Sequence, residues 1–215
     1  MSSKVVVVDY GVGNLRSVSR ALEVVGATPE VTSSISAIDN ADRLVLPGVG
    51  SFPGCARALR DSGLWDAVEE NLKKERPVLG ICVGMQIMFE HGEEFGRTQG
   101  FGALPGAVDR IATRRPDGSD MRTPFIGWSP LTPASETPWE KTIFEGLEPG
   151  SSVYFVHSYA AIPTDASHCL AISDYGAGPV CAAVQLGNVF GVQFHPEKSG
   201  PTGLRILENF VRAQD

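Results

Sequence analysis

Cys82 stands between two glycines in Gly80-Ile81-Cys82-Val83-Gly84. The strand-like run Pro77-Val78-Leu79 precedes it and the helix-like run Met85-Gln86-Ile87-Met88-Phe89 follows. A G-x-C-x-G string in that context predicts a nucleophile elbow, a sharp turn that pushes the reactive side chain out between strand and helix. Glycines suit a turn that neighbouring backbone crowds. A thiol at a helix N-terminus meets free N–H groups and the positive end of the dipole, which favour the nucleophilic thiolate. The Val83 N–H is placed to donate to an oxyanion. A thiol nucleophile also needs a base, and the base an orienting acceptor. Gly191-Val192-Gln193-Phe194-His195-Pro196-Glu197 supplies both. His195 and Glu197, two apart at a strand end, can leave on the same side, and Pro196 stiffens the link. His195 is the expected base, and Glu197 the group that holds its tautomer and stabilises the imidazolium. Cys82 and His195 are far apart in the chain, so the fold must bring them together.

A second glycine-rich turn, Pro47-Gly48-Val49-Gly50, closes another strand. Such turns aim backbone N–H groups at an anion. Val49 or Gly50 is expected to give the second oxyanion donor, beside Val83. Gly11-Val12-Gly13 does not extend to a dinucleotide fingerprint, because Arg16 stands where the third glycine belongs. No phosphate-binding G-x-x-x-x-G-K-[ST] string occurs. Cys55, Cys82, Cys169 and Cys181 form no C-x-x-C pair, so neither a metal cluster nor a disulfide framework is expected. Cys55, Cys169 and Cys181 read as small apolar filler. No metal and no cofactor is called for.

The chain has 215 residues, 42% of them hydrophobic, which suits one domain over 1–215 with a sizeable core. The formal net charge is −7, and the 18 Lys and Arg are scattered. That excludes the basic face of a nucleic-acid binder. No apolar run reaches the ~18 residues of a membrane span. Val5-Val6-Val7-Val8 is too short for a signal-peptide core and lacks a cleavage site, so the expected location is cytoplasmic.

The elements that must position the chemistry alternate over the first ~90 residues, which implies a parallel sheet with helices on its faces. Strands are expected at Val5–Asp9, near Glu30-Val31, at Arg43–Leu46 and at Val78–Ile81. Leu15 to Val25 reads as a helix with Leu15, Val18, Leu22 and Val25 on one face, Asn14 capping its start and Gly26 its end. Leu64 to Lys74 reads as another, with Leu64, Val68 and Leu72 in line. From Phe101 strands dominate: Ala107–Ala112, Val153–Tyr159, Cys169–Ser173, Cys181–Gln185 and Val189–Phe194, with a hairpin turn in Gln185–Val189. Leu204 to Val211 is a closing helix, and Arg114 to Met121 a polar exposed loop.

These residues resemble a known family. Gly80-Ile81-Cys82-Val83-Gly84-Met85-Gln86 with His195-Pro196-Glu197 is similar to the class I (triad) glutamine amidotransferases. Asp9-Tyr10-Gly11-Val12-Gly13-Asn14-Leu15-Arg16-Ser17-Val18, Leu46-Pro47-Gly48-Val49-Gly50 and Tyr154-Phe155-Val156-His157-Ser158-Tyr159 narrow the resemblance to the glutaminase subunits of imidazole glycerol phosphate synthases. It runs from Val5 to Phe210. It implies a flavodoxin-like α/β domain: a mixed, largely parallel central sheet flanked by helices, with extra antiparallel strands in the C-terminal half. The implied reaction is hydrolysis of glutamine to glutamate through a Cys82 thioester. The ammonia passes to a (β/α)₈ cyclase partner in a heterodimer serving histidine biosynthesis. The resemblance further implies glutamine contacts at Gln86, Glu94, Ser158 and Tyr159, and partner-facing positions at Asn14, Trp128, Tyr154 and Lys198. Ser129 stands where the family often has Asn, a departure in the subunit contact. The helix start at Pro53-Gly54-Cys55 also departs from the usual composition, and Cys55 is given no catalytic role. A stand-alone cysteine hydrolase on the same scaffold is the first rival, disfavoured by Met85-Gln86 and the amino-terminal string. A non-catalytic regulatory module is the second, disfavoured by the intact trio Cys82, His195 and Glu197.

Overall fold

The computed structural model describes residues 4–74, 76–134 and 139–213. The first part of the chain forms β1 (Lys4–Val8), α1 (Leu15–Val24), β2 (Thr28–Thr32), α2 (Ile35–Asp39), β3 (Arg43–Gly48), α3 (Phe52–Asp61), α4 (Trp65–Leu72) and β4 (Val78–Cys82). Next come α5 (Val83–Gln86), β5 (Phe89–Gly92), β6 (Thr98–Gln99), β7 (Leu104–Arg110), β8 (Phe125–Pro130) and β9 (Thr132–Pro133). The remainder forms β10 (Ser152–His157), β11 (Tyr159–Pro163), β12 (Cys169–Asp174), β13 (Pro179–Leu186), β14 (Val189–Val192) and α6 (Gly200–Arg212). Eight strands make the central sheet, in the order β2-β1-β3-β4-β14-β13-β12-β9. From β2 to β14 neighbours pair parallel. From β14 to β9 they pair antiparallel. This is the mixed, largely parallel α/β sheet expected, with the antiparallel strands in the second half.

The parallel core follows from composition. Val5 to Val8 are wholly buried, as a strand covered on both faces requires. Helix α1 buries Val18, Ala21 and Leu22, and Gly26 ends it in the left-handed region at φ 85°. Asn14 does sit at the start of α1, but its side chain makes no cap bond. It accepts the Ser17 hydroxyl at 3.2 Å instead, so the expected side-chain cap is corrected. Helix α6 buries Ile206, Leu207, Phe210 and Val211, close to the expected face.

Several elements differ from the pattern in the sequence. The helical run after Cys82 stops at Gln86, and Phe89 already belongs to a strand. The carbonyls of Ile87, Met88 and Phe89 accept from the amides of Phe101, Leu104 and Gly102 at 2.8, 3.0 and 3.1 Å, so none is left for a further helical turn. The run Val153–Tyr159 is two strands broken at Ser158, because β10 pairs with β8 in a separate ribbon while β11 pairs with β7. Helix α3 begins on a capping signal, the Ser51 hydroxyl accepting the Gly54 amide with Pro53 in the first turn. Among the described residues no helix is long and apolar enough to cross a membrane.

Candidate active site

The C-terminal ends of β3 and β4 carry the two glycine turns side by side, with Gly48 paired in register to Cys82. Between β4 and α5, Cys82 adopts φ 55° and ψ −115°. An L-residue there stores roughly 1–3 kcal/mol of strain. The surrounding packing over-determines that strain. A Cβ on Gly84 would lie 1.9 Å from the Leu46 carbonyl oxygen, and one on Gly48 would lie 2.4 Å from the Gly84 amide nitrogen. A Cβ on Gly80 would lie 2.6 Å from the Met85 Cα. The turn therefore rests backbone on backbone, and these three positions accept glycine alone.

Just beyond β14, His195 follows the strand that pairs with β4. Its Nδ1–H donates to Glu197 Oε1 at 2.9 Å, leaving Nε2 for the thiol. The Glu197 side chain is 1% exposed, and its second oxygen is buried with no hydrogen-bond partner among the described residues. That charge has His195 as its neighbour and favours the imidazolium. Burial alone would lower the His195 pKa, but hydrogen bonding and charge from Cys82 and Glu197 outweigh it and raise the ring to about 9. The backbone of His195 is fastened as well. Its N–H donates to the Tyr154 carbonyl at 2.9 Å, and its carbonyl accepts the Ser199 hydroxyl at 2.6 Å. Ser199 Oγ in turn accepts the Tyr154 amide at 3.0 Å. Strand β10 thus fastens the His195 backbone.

The Pro47–Gly50 turn is tied at two carbonyls. Tyr10 donates its hydroxyl to Pro47 at 2.6 Å, and the Cys55 thiol donates to Val49 at 3.3 Å. Burial pushes the Cys55 thiol up to about 11, so it stays neutral. The cleft in front has a volume of about 370 Å³. Cys82 and His195 line it together with Val83, Val49 and Gly50, the expected oxyanion positions. Gln86, Glu94, Ser158, Tyr159 and Lys198 line it too. Two of these have structural duties the sequence did not reveal. The Gln86 carboxamide nitrogen donates to the Tyr159 carbonyl and to Gln193 Oε1, both at 2.9 Å. Glu94 Oε2 accepts the Phe52 amide at 2.8 Å and so caps α3.

The other expected positions lie at the rim or outside. Trp128 is 57% exposed and meets Tyr154 edge to face at 5.9 Å between ring centres, with Ile126 exposed on the same β8. Asn14 follows Gly13, where a Cβ would lie 3.2 Å from the Pro47 side chain, so it sits near the Pro47–Gly50 turn. Residues that sequence reasoning passed over complete the site. His157 bonds Tyr159 O through Nδ1 at 2.8 Å and the Tyr175 hydroxyl through Nε2 at 2.7 Å. Burial, with the nearby His195, lowers its pKa to about 4, so it is neutral. Gln193 stands in the His195 string as a polar residue among apolar ones, but nothing in its spacing, or in that of Ser199 beyond the string, announces a buried partner.

The residues 6–214 match the family described as Glutamine amidotransferase class-I. The chain is 45% identical over 207 residues to the imidazole glycerol phosphate synthase subunit HisH of Syntrophotalea carbinolica, covering 96% of this chain and 98% of the relative. It is 41% identical over 209 residues to the HisH subunit of Geobacter sulfurreducens, covering 97% and 98%. In fold it is similar to a chain of the PurLQS structure from Thermotoga maritima, with a TM-score of 0.75 at 22% identity, covering 99% of both chains. A crystal structure of a glutamine amidotransferase gives a TM-score of 0.71 at 20% identity, covering 96% of this chain and 98% of that one. Sequence relatives aligned over nearly their whole length and a sheet that carries the elbow at its C-terminal edge lead to one assignment: the chain belongs to the class I glutamine amidotransferases, among the HisH subunits of imidazole glycerol phosphate synthase.

Proposed function

We propose that this protein hydrolyses glutamine to glutamate with Cys82, His195 and Glu197, and hands the ammonia to a (β/α)₈ cyclase subunit that forms imidazole glycerol phosphate and an aminoimidazole carboxamide ribotide. The observation that carries the reading is the meeting of the strained Cys82 elbow with the Glu197-oriented His195 in one cleft. In the first half-reaction the Cys82 sulfur attacks the side-chain amide carbon, forming the C–S bond. The carbonyl electrons move to oxygen, facing the Val83 amide and an amide of the Val49–Gly50 turn. His195 gives its proton to the leaving nitrogen, the C–N bond breaks, and ammonia departs from a glutamyl thioester. In the second, His195 takes a proton from water, the hydroxyl adds to the thioester carbon, and the C–S bond breaks to return the thiolate. Glu94 and Ser158, both on the cleft wall, suit the ammonium and carboxylate ends of glutamine.

A partner follows from the chemistry as well. Ammonia released into water at neutral pH becomes ammonium and loses its nucleophilicity, so it needs an enclosed route. The exposed Trp128 and Ile126 on β8, the Tyr154 ring beside them and Lys198 at the cleft mouth offer a docking face beside the catalytic residues. Asn14, near the Pro47–Gly50 turn, is a further candidate contact. Steady-state glutamine hydrolysis, measured with and without the cyclase and its ribotide ligand, tests this. Turnover should be low alone and rise at least tenfold in the complex. Equal rates would overturn the coupling, and no hydrolysis in either state would overturn the glutaminase itself.

The raised His195 pKa has a defined pH signature. The ring titrates near 6.5 in an unfolded chain and at about 9 here. Its charged form is therefore favoured by folding. That contribution is full below pH 6.5 and is lost as pH rises through about 9. Urea midpoints taken from pH 6 to 10 should fall over this window. Glutamine turnover should fall with them above pH 9, as the proton donor for the leaving nitrogen disappears. A flat stability profile across pH 7–9 would contradict the assignment.

A further inference from the structure

Gln193 has no solvent exposure and lies at the heart of the site, yet the triad chemistry gives it no part. It sits two residues before His195, one pleat along the same strand end, facing the elbow. A Cβ on Gly191, two residues earlier again, would lie 2.3 Å from the Met85 side chain of α5. Both ends of the Gln193 carboxamide are used. Oε1 accepts from Gln86 Nε2 at 2.9 Å, and Nε2 donates to Cys82 Sγ at 3.7 Å.

The orientation of that amide is fixed by its neighbours, not by choice. Gln86 Nε2 also donates to the Tyr159 carbonyl, so the nitrogen facing Gln193 is a donor. Turning Gln193 over would set donor against donor at 2.9 Å and aim a lone pair at the sulfur. The Tyr159 carbonyl is held in turn by the His157 Nδ1–H, and His157 Nε2 accepts the Tyr175 hydroxyl. The chain of bonds runs from Tyr175 through His157, Tyr159, Gln86 and Gln193 to the sulfur. Each member has one arrangement that satisfies all of them.

We infer that Gln193 is a further catalytic residue, an N–H donor to Cys82 Sγ that stabilises the thiolate before attack and again when the C–S bond breaks. The sulfur is a thiolate only before attack and after the C–S bond breaks, when His195 holds a proton that it goes on to transfer. Gln193 adds a donor that never transfers its hydrogen. A hydrogen bond to an ionised partner is about twice as strong as a neutral one. The other titratable groups around the sulfur offer no substitute. Burial keeps Tyr10, Cys55 and Tyr175 protonated, with their pKa values raised, so each adds repulsion only if it ionises.

The inference rests on Cys82 being the nucleophile, but its test does not need glutamine turnover. Gln193→Met removes the donor at similar length. Gln193→Glu keeps the shape and the Oε1 acceptor for Gln86 and turns an oxygen on the sulfur. Alkylation of Cys82 by iodoacetamide is followed from pH 5 to 10 in wild type and both variants, with the site of modification read by mass spectrometry. Both variants should alkylate about tenfold more slowly at pH 6, the size of one charge-assisted hydrogen bond, and converge with wild type near pH 10. In the cyclase complex kcat should fall about tenfold or more with the glutamine KM within about twofold, since the lost contact is to the reacting atom. Superimposable alkylation profiles in a variant whose far-UV circular dichroism and thermal midpoint match wild type would overturn the role. The Glu variant keeps the test decisive where Met disturbs packing. Altered alkylation in a protein that hydrolyses no glutamine would leave this inference standing and sink the proposed function.

Discussion

Cys82→Ala should lower glutamine turnover in the cyclase complex by about 10⁴-fold or more, to the level set by binding and the oxyanion donors alone. Without the sulfur no thioester forms, and His195 has nothing to deprotonate. The fold should hardly notice. Cys82 ends β4 and lines the cleft, alanine fits inside its volume, and both residues carry the same Cβ at φ 55°. Affinity for the partner should stay within a few-fold, because the exposed face runs through Trp128 and Tyr154 and not through the sulfur. The His195 ring should titrate below its present value of about 9, since its interaction with Cys82, which helps to raise it, is gone. Ammonia assay, calorimetric titration of the partner and histidine NMR read these three outcomes separately. Turnover within tenfold of wild type would end the covalent mechanism.

Glu197→Gln carries the second large effect, about 10⁴-fold in kcat, the loss typical when an orienting carboxylate becomes an amide. The shape is preserved, so the change is electronic. The amide can present an N–H to His195 Nδ1 and so favour the tautomer whose proton sits on Nε2, facing the sulfur it must accept from. It also withdraws the buried charge that favours the imidazolium. The ring pKa should drop well below 9, and with it the protonated fraction available to the leaving nitrogen. Glu197→Gln is expected to keep glutamine KM within a few-fold, because Glu197 does not line the cleft. A kcat within tenfold of wild type, with a folded variant, would show that Glu197 is a packing residue.

Much of this was legible in the sequence because the informative residues are extreme in type. Glycines that tolerate no Cβ, a cysteine between them and a His-Pro-Glu step each announce a backbone or chemical demand at one position. The alternating strands and helices of the first half also fixed the parallel sheet, since buried valine runs and helical apolar faces have distinct periods. What stayed hidden is pairwise. The run Met85–Phe89 has helical composition, but the carbonyls of Ile87, Met88 and Phe89 are claimed by amides more than ten residues on, a competition no local pattern contains. Glu94 lines the cleft and also accepts the Phe52 amide, a duty that its place in the chain does not announce. His157 and Gln193 look like ordinary polar residues of expected strands, and Ser199 like a polar residue before the closing helix. Their meaning lies in the partners that the β4–β14 pairing and the β10 ribbon bring to them.

The backbone at Cys82 occupies territory where glycine would be at ease and every other residue is under tension. Selection for a sturdier fold and selection for a reactive sulfur therefore pull this codon in opposite directions. Left to drift without its reaction, a descendant of this chain would gain by losing the side chain first, relaxing the turn while the sheet around it persisted. A relative with glycine at this position would be an inactive one that had become easier to fold.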